Sequence, residues 1–103
     1  MDVQVIPWPE AEAPTESKIR AVYSGEGLDP YAWSNGPGDV YAAHSHSYHK
    51  VIYVMHGSIT FGLPDRGESL NLKAGYRLEL GPGVRHDATV GPQGVTCLEA
   101  HRS

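Results

Sequence analysis

Three of the six histidines in this 103-residue chain are placed so that their side chains can meet. His44 and His46 are one residue apart in a stretch that reads as extended, so both rings leave the same face with Cα atoms about 6.6 Å apart. His86 follows the turn segment Gly81-Pro82-Gly83 and opens another extended stretch that can lie across from the first pair. Neutral imidazoles that converge in an interior have few ways to be satisfied other than a shared metal ion. Such a set carries no ligand charge and leaves positions open for water or substrate. By geometry it suits one divalent Fe, Zn, Ni, Cu or Mn equally. The competing reading of the same residues is a polar network in a barrel without a metal.

The remaining chemistry is read against that set. His49 joins the metal as a further ligand if the Ser47-Tyr48 turn shifts the register by one residue; by strict alternation it points the other way from Lys50 and packs under the turn. His56 shares a strand face with Lys50, Ile52 and Val54 and reads as a satisfied core histidine, whereas His101 reads as exposed. Tyr41, just outside the histidine pair, is a candidate for the pocket wall with its hydroxyl turned inward. Tyr48, Tyr53 and Tyr76 read as ordinary barrel residues. Cys97 is the only cysteine, which excludes an intrachain disulfide and a cysteine zinc cluster, and it reads as a space-filler on the last strand. Arg77 and Glu79 make one face of their strand charged: an inner face would meet an anionic substrate, an outer one would be solvated.

The elements that must carry these side chains are short and mostly extended. Twelve Gly and eight Pro mean many turns, and a chain of 11.2 kDa is enough for one compact domain. Residues 1–30 form an arm, in which Val3 and Val5 alternate before Trp8, followed by a helix over Thr15 to Ser24. That helix presents Ile19, Val22 and Tyr23 on one face and stops at Gly25. Residues 31–103 change to a period of two, with strands over Asp39 to His46, Lys50 to His56 and Ser58 to Leu63, a turn at Pro64-Asp65-Arg66-Gly67, and further alternation to Ala100. Seven or eight short antiparallel strands make an all-β chain of the small-barrel or double-sheet jelly-roll type. Eight Lys and Arg against twelve Asp and Glu, with no basic block, argue against nucleic acid. The longest apolar run, Val51 to Met55, is far below the ~20 residues of a membrane helix, and the N-terminus lacks the pattern of a signal peptide, so a soluble, cytoplasmic protein without membrane contact is expected.

Two segments resemble the paired motifs of the cupins. Gly38-Asp-Val-Tyr-Ala-Ala-His44-Ser-His46-Ser-Tyr-His49-Lys50-Val-Ile-Tyr-Val-Met-His56-Gly57 is similar to the first motif: Gly, five residues, His-x-His, three or four residues, Glu, six residues, Gly. Gly75-Tyr-Arg-Leu-Glu-Leu-Gly81-Pro82-Gly83-Val-Arg-His86 is similar to the second, with Gly81 where Pro is usual and Val90 where a closing Asn is usual. The resemblance covers Trp33 to His101 and implies a cupin-type antiparallel β-barrel with one metal near its centre, held by His44, His46 and His86. It departs at Lys50, which stands where the family carries its fourth ligand, a Glu; a protonated ammonium has no lone pair to give a metal.

The function implied is that of a small metal-dependent enzyme of the dioxygenase-like kind acting on a small organic anion. In it Lys50 and Tyr41 are the catalytic candidates, and Lys50 serves as proton donor or counter-charge to an anion at the metal. A sensor or carrier that uses the same pocket without turnover is the alternative, and a metal-free structural domain a third reading. A homodimer paired through a sheet edge is expected, with the N-terminal arm as a swapped strand.

Overall fold

The computed structural model describes residues 2–102; Met1 and Ser103, the ends of the two predicted segments, lie outside them. In chain order the elements are β1 (Val3–Ile6), α1 (Glu16–Gly25), β2 (Tyr31–Asn35), β3 (Val40–His44), β4 (His49–Leu63), β5 (Glu68–Lys73), β6 (Arg77–Leu80) and β7 (His86–Arg102). All strand pairs are antiparallel, in the order β1-β6-β4-β7-β2, with β3 also on β7 and β5 also on β4. The all-β jelly roll read from the two-residue period is present. Among the described residues its strands number seven, as expected, but two of them, β4 and β7, are long rather than short.

Two long strands tie the barrel together. β4 bonds β6 through Lys50–Tyr53 and β5 through Ser58–Leu63, while β7 runs along its other side from Arg102 to Asp87. Gly57, expected to end one strand and begin another, instead bends a single 15-residue strand. It takes φ 76°, and a Cβ placed there would lie 1.9 Å from the Gly94 carbonyl oxygen. A side chain is therefore excluded both by conformation and by the neighbouring backbone. Just before it the register slips by one residue, since Val54 faces Cys97 and His56 faces Thr96. Such a bulge increases local twist and lets one strand turn the corner of a barrel. Val54 then points into the barrel, Met55 packs on its outside, and His56 is exposed. The core-histidine reading of His56 is thus corrected: the bulge breaks the alternation on which it rested.

The apolar residues divide into two clusters. The interior holds Ile52, Val54, Ile59, Phe61, Leu78 and Leu80 with their neighbours, and Cys97 is fully buried among them as the space-filler expected. Burial pushes the Cys97 thiol up to about 12. The second cluster lies outside the sheet, where Ile19 and Tyr23 of α1 cover Val51, Tyr53, Leu98 and Ala100. Thr15 caps α1 by accepting from the Lys18 N–H at 3.2 Å, and the Tyr23 hydroxyl donates to the Val51 carbonyl at 2.8 Å. Burial raises the Tyr23 pKa, which keeps that donor protonated.

Arg77 fits neither expectation for its strand. It lies on the outer face yet is 6% exposed, because the end of α1 covers it: its guanidinium donates two hydrogen bonds to Glu26, at 2.6 and 2.7 Å, and one to Glu79 at 3.2 Å. The N-terminal arm pairs within its own chain, with Val3 opposite Leu80 and Ile6 opposite Arg77.

Candidate metal centre

His44 and His86 are direct cross-strand partners on β3 and β7, and their ring centroids are 4.5 Å apart. His46 lies in the turn after β3 rather than within the strand, held there by the Gly83 N–H, which donates to its carbonyl at 2.8 Å. Its ring centroid is 4.7 Å from that of His44 and 5.4 Å from that of His86. The three rings offer one ligand atom each, and those atoms lie within 4.8 Å of one another. Among the described residues this is the cluster of metal-ligating type.

The hydrogen bonds at the back of each ring decide which nitrogen faces the centre. Nδ1 of His44 lies 2.7 Å from the Ala42 carbonyl, and Nδ1 of His86 lies 2.9 Å from the Val84 carbonyl. A carbonyl only accepts, so both nitrogens carry the proton and the neutral rings present bare Nε2 lone pairs. In His46 the Nε2 lies 3.5 Å from the Lys50 ammonium, which only donates, and Nδ1 meets the Tyr48 hydroxyl at 3.1 Å. All three rings thus share one tautomer. Outer hydrogen bonds of this kind are what orient histidine ligands in metal sites. Burial, and then neighbouring positive charge, lowers the pKa of His46; burial likewise lowers that of His86. Both effects favour the lone-pair form that a metal needs.

Lys50 reaches the same space from β4. Its side chain is 12% exposed, and its ammonium is 3.4 Å from a carboxylate that the motif reading did not include, that of Glu99 on β7. Glu99 is 4% exposed. Its Oε2 accepts from Tyr31 at 2.8 Å and meets His101 Nε2 at 2.6 Å, and its Oε1 accepts from the Trp33 indole N–H at 3.1 Å. Burial alone would raise the Glu99 carboxyl, but the bond from His101, the charge of Lys50 and the bond from Tyr31 bring it below the ordinary carboxylate range.

These residues and the three histidines line a half-open cavity of about 300 Å³. Tyr41 lines it, as expected, and its hydroxyl donates to Asn35. Strict alternation would put Tyr41 and His44 on opposite faces. The register slip between them turns both inward. His49 does not join the centre: its ring lies on the other face of β4, with Nε2 3.0 Å from Glu79, so the register shift that would have made it a ligand is not made. His101 is exposed as expected, but it also stacks on Tyr48, with centroids 4.0 Å apart, at the edge of the site.

No family model and no curated protein matches the chain. Solved structures do. An RmlC-like cupin from Shewanella frigidimarina superposes with a TM-score of 0.62 at 24% identity, over 72% of this chain and 64% of that one. The polyketide cyclase RemF from Streptomyces resistomycificus superposes with a TM-score of 0.63 at 25% identity, over 72% of this chain and 54% of that one. By fold, the chain is a small cupin. It spans less than two thirds of the length of those two proteins. A duf861 family protein from Thermotoga maritima matches it almost end to end, over 97% of this chain and 99% of that one, with a TM-score of 0.64 at 16% identity.

The carboxylate of the pocket comes from β7. Lys50 occupies the position where the resemblance calls for Glu, and Glu99 brings an acid into the same cavity from β7. A signal for Glu99 is present in the sequence: it shares strand parity with Val95 and Cys97, and an acid on the inward face of a final strand needs partners. Tyr31, Trp33 and Tyr48, which line the cupin's cavity, carry no such signal, because aromatics are common throughout β-barrels.

Proposed function

We propose that this cupin is a metal-dependent enzyme acting on a small organic molecule that binds the metal through an anionic oxygen. The observation that carries the reading is the shared tautomer of His44, His46 and His86, whose Nδ1 atoms are engaged by protein oxygens while one ligand nitrogen from each ring lies within 4.8 Å of the others. Three neutral nitrogens fit a divalent transition metal and leave positions for a ligand. A bound metal would supply Lewis acidity and, if redox-active, a place for dioxygen. The chain's own residues do the rest. Tyr48 and the Ala42 and Val84 carbonyls fix the rings, and the aromatic side chains wall the space beside them. The Lys50 ammonium, balanced by Glu99, offers N–H groups to a substrate oxygen next to the histidines. Charge supports an anionic substrate in particular: Lys50 and Glu99 cancel, so the charge of a bound divalent ion is left without a protein counter-ion.

Elemental mass spectrometry on untagged protein tests the centre. Near one metal per chain is expected in the parent and in His49→Ala, with little in His86→Ala or His44→Gln. Oxygen uptake with the Fe(II) form over a panel of diketones and thiols then tests catalysis, and loss of uptake in Lys50→Ala is expected. Protein that stays empty after exposure to Fe(II), Zn, Ni, Cu and Mn would overturn the metal reading. Metal-loaded protein that a ligand stabilises without any turnover would move the function to a sensor or carrier.

A further inference from the structure

Five of the nine Phe, Trp and Tyr residues in the chain, namely Tyr31, Trp33, Tyr41, Tyr48 and Phe61, line the one cavity that holds the histidines. Their polar atoms are already engaged with protein. The Tyr31 hydroxyl and Trp33 indole N–H donate to Glu99, the Tyr41 hydroxyl donates to Asn35, and the Tyr48 hydroxyl oxygen accepts from His46 Nδ1, which leaves the Tyr48 O–H as a donor. No buried side-chain nitrogen or oxygen among the described residues lacks a partner. Apart from the Tyr48 O–H, ring surface is what these side chains have left to offer, together with the alkyl groups of Ile52, Ile59 and Ala88. The polar groups still open are the Nε2 lone pairs of His44 and His86, the Tyr48 O–H and the remaining N–H of Lys50.

Size narrows the occupant. An apolar cavity of about 150 Å³ holds one benzene ring. At about 300 Å³, this cavity has room for one ring or two fused ones. Aromatic walls favour flat, conjugated partners through offset and edge-to-face contacts, over and above the area buried. Trp33 and Tyr41 already meet edge to face, with centroids 6.3 Å apart, and so present a shaped wall to a flat ring.

We infer that the ligand is a planar one- or two-ring aromatic or enolised anion, polar at the end that meets the histidines and Lys50 and apolar at the other. The inference deepens the proposed function and depends on a metal only for the ligand's polar end. Its selectivity for flatness belongs to Trp33, Tyr41 and Phe61, which makes these three the specificity-determining residues of the pocket.

Two probes separate flatness from charge: 2-naphthoate and decahydro-2-naphthoate carry the same carboxylate on the same carbon skeleton, one flat and one puckered. The chain has two tryptophans, Trp33 in the cavity and Trp8 elsewhere, so the indole N–H signals of 15N-labelled protein report binding and its place together. Both probes are titrated into zinc-treated and metal-free protein. The expected result is movement of the Trp33 signal with Trp8 still, and at least tenfold tighter binding of 2-naphthoate. In the double variant Tyr41→Leu/Phe61→Leu that preference should fall to near unity while the protein remains folded. In Lys50→Met both acids should weaken together. Equal affinity for the two acids in the parent, or no movement of Trp33 with either, overturns the inference. If zinc fails to load, the metal reading falls by itself, and the metal-free titration still decides between flat and puckered, with Lys50 as the anion's partner.

Discussion

Lys50 determines what kind of metal site the three histidines can make. An ammonium beside His46 repels a divalent ion and supplies no lone pair, whereas a carboxylate there would add an anionic ligand. Lys50→Glu is therefore expected to tighten zinc binding at least tenfold. In the metal-free protein the same change sets a second carboxylate beside Glu99. Melting should then show a lower apo midpoint and a larger rise on adding zinc than in the parent; an unchanged zinc affinity would show that position 50 does not reach the metal. Glu99 is the complementary case. Replacing it by Gln removes the buried anion that four donors converge on and leaves Lys50 unpaired, which is expected to cost about 3 kcal/mol in a urea melt.

At the level of elements, the barrel depends on the crossing of β4 and β7, where Gly57 approaches Gly94. Ala at position 57 would have to hold a left-handed backbone and push its methyl group against a carbonyl oxygen at 1.9 Å. Gly57→Ala should destabilise by more than about 4 kcal/mol or abolish folding, whereas Gly67→Ala, with nothing within 4 Å of its Cβ, should cost only the left-handed backbone at φ 65°, about 1–2 kcal/mol. Beside the apolar packing of Ile19 and Tyr23, an ion pair at the end of α1 ties the helix to the sheet. Glu26 accepts both bonds from Arg77, and that pairing holds its carboxyl below the ordinary carboxylate range. A depressed carboxyl contributes stability that is fully present above its unfolded pKa of about 4.3 and is lost as the pH falls through the folded value. Acid titration of stability should therefore be less steep below pH of about 4 in Glu26→Gln than in the parent. At pH 7 the same variant should cost about 1–3 kcal/mol.

At the scale of the molecule, the radius of gyration of 13.0 Å is that of one compact body of this length, and no helix among the described residues is long and apolar enough to cross a membrane. The sheet still has open edges, since β1 and β2 end the strand order. Tyr31 on β2 is 50% exposed and Val40 at the start of β3 is 71% exposed, which leaves apolar surface near one of those edges. A homodimer paired through a sheet edge is expected to sediment at about twice the 11.2 kDa of one chain at micromolar concentration. A mass near that of a single chain would show that these edges stay solvated.

Local pattern carried the jelly-roll class, the helix whose one face presents Ile19, Val22 and Tyr23, and the trio His44, His46 and His86. All of these follow from periodicity and from the spacing of a few residues, which a linear chain displays directly. Tertiary structure decided everything that depended on a slipped register. The bulge before Gly57 exposed His56, and the one between Tyr41 and His44 turned both of those side chains into the cavity. The role of Glu99 was likewise a matter of position in space, because its partners lie 68 residues away at Tyr31 and 66 away at Trp33. Alternation assigns a face only while the pairing is regular, and a single inserted residue reverses every assignment beyond it.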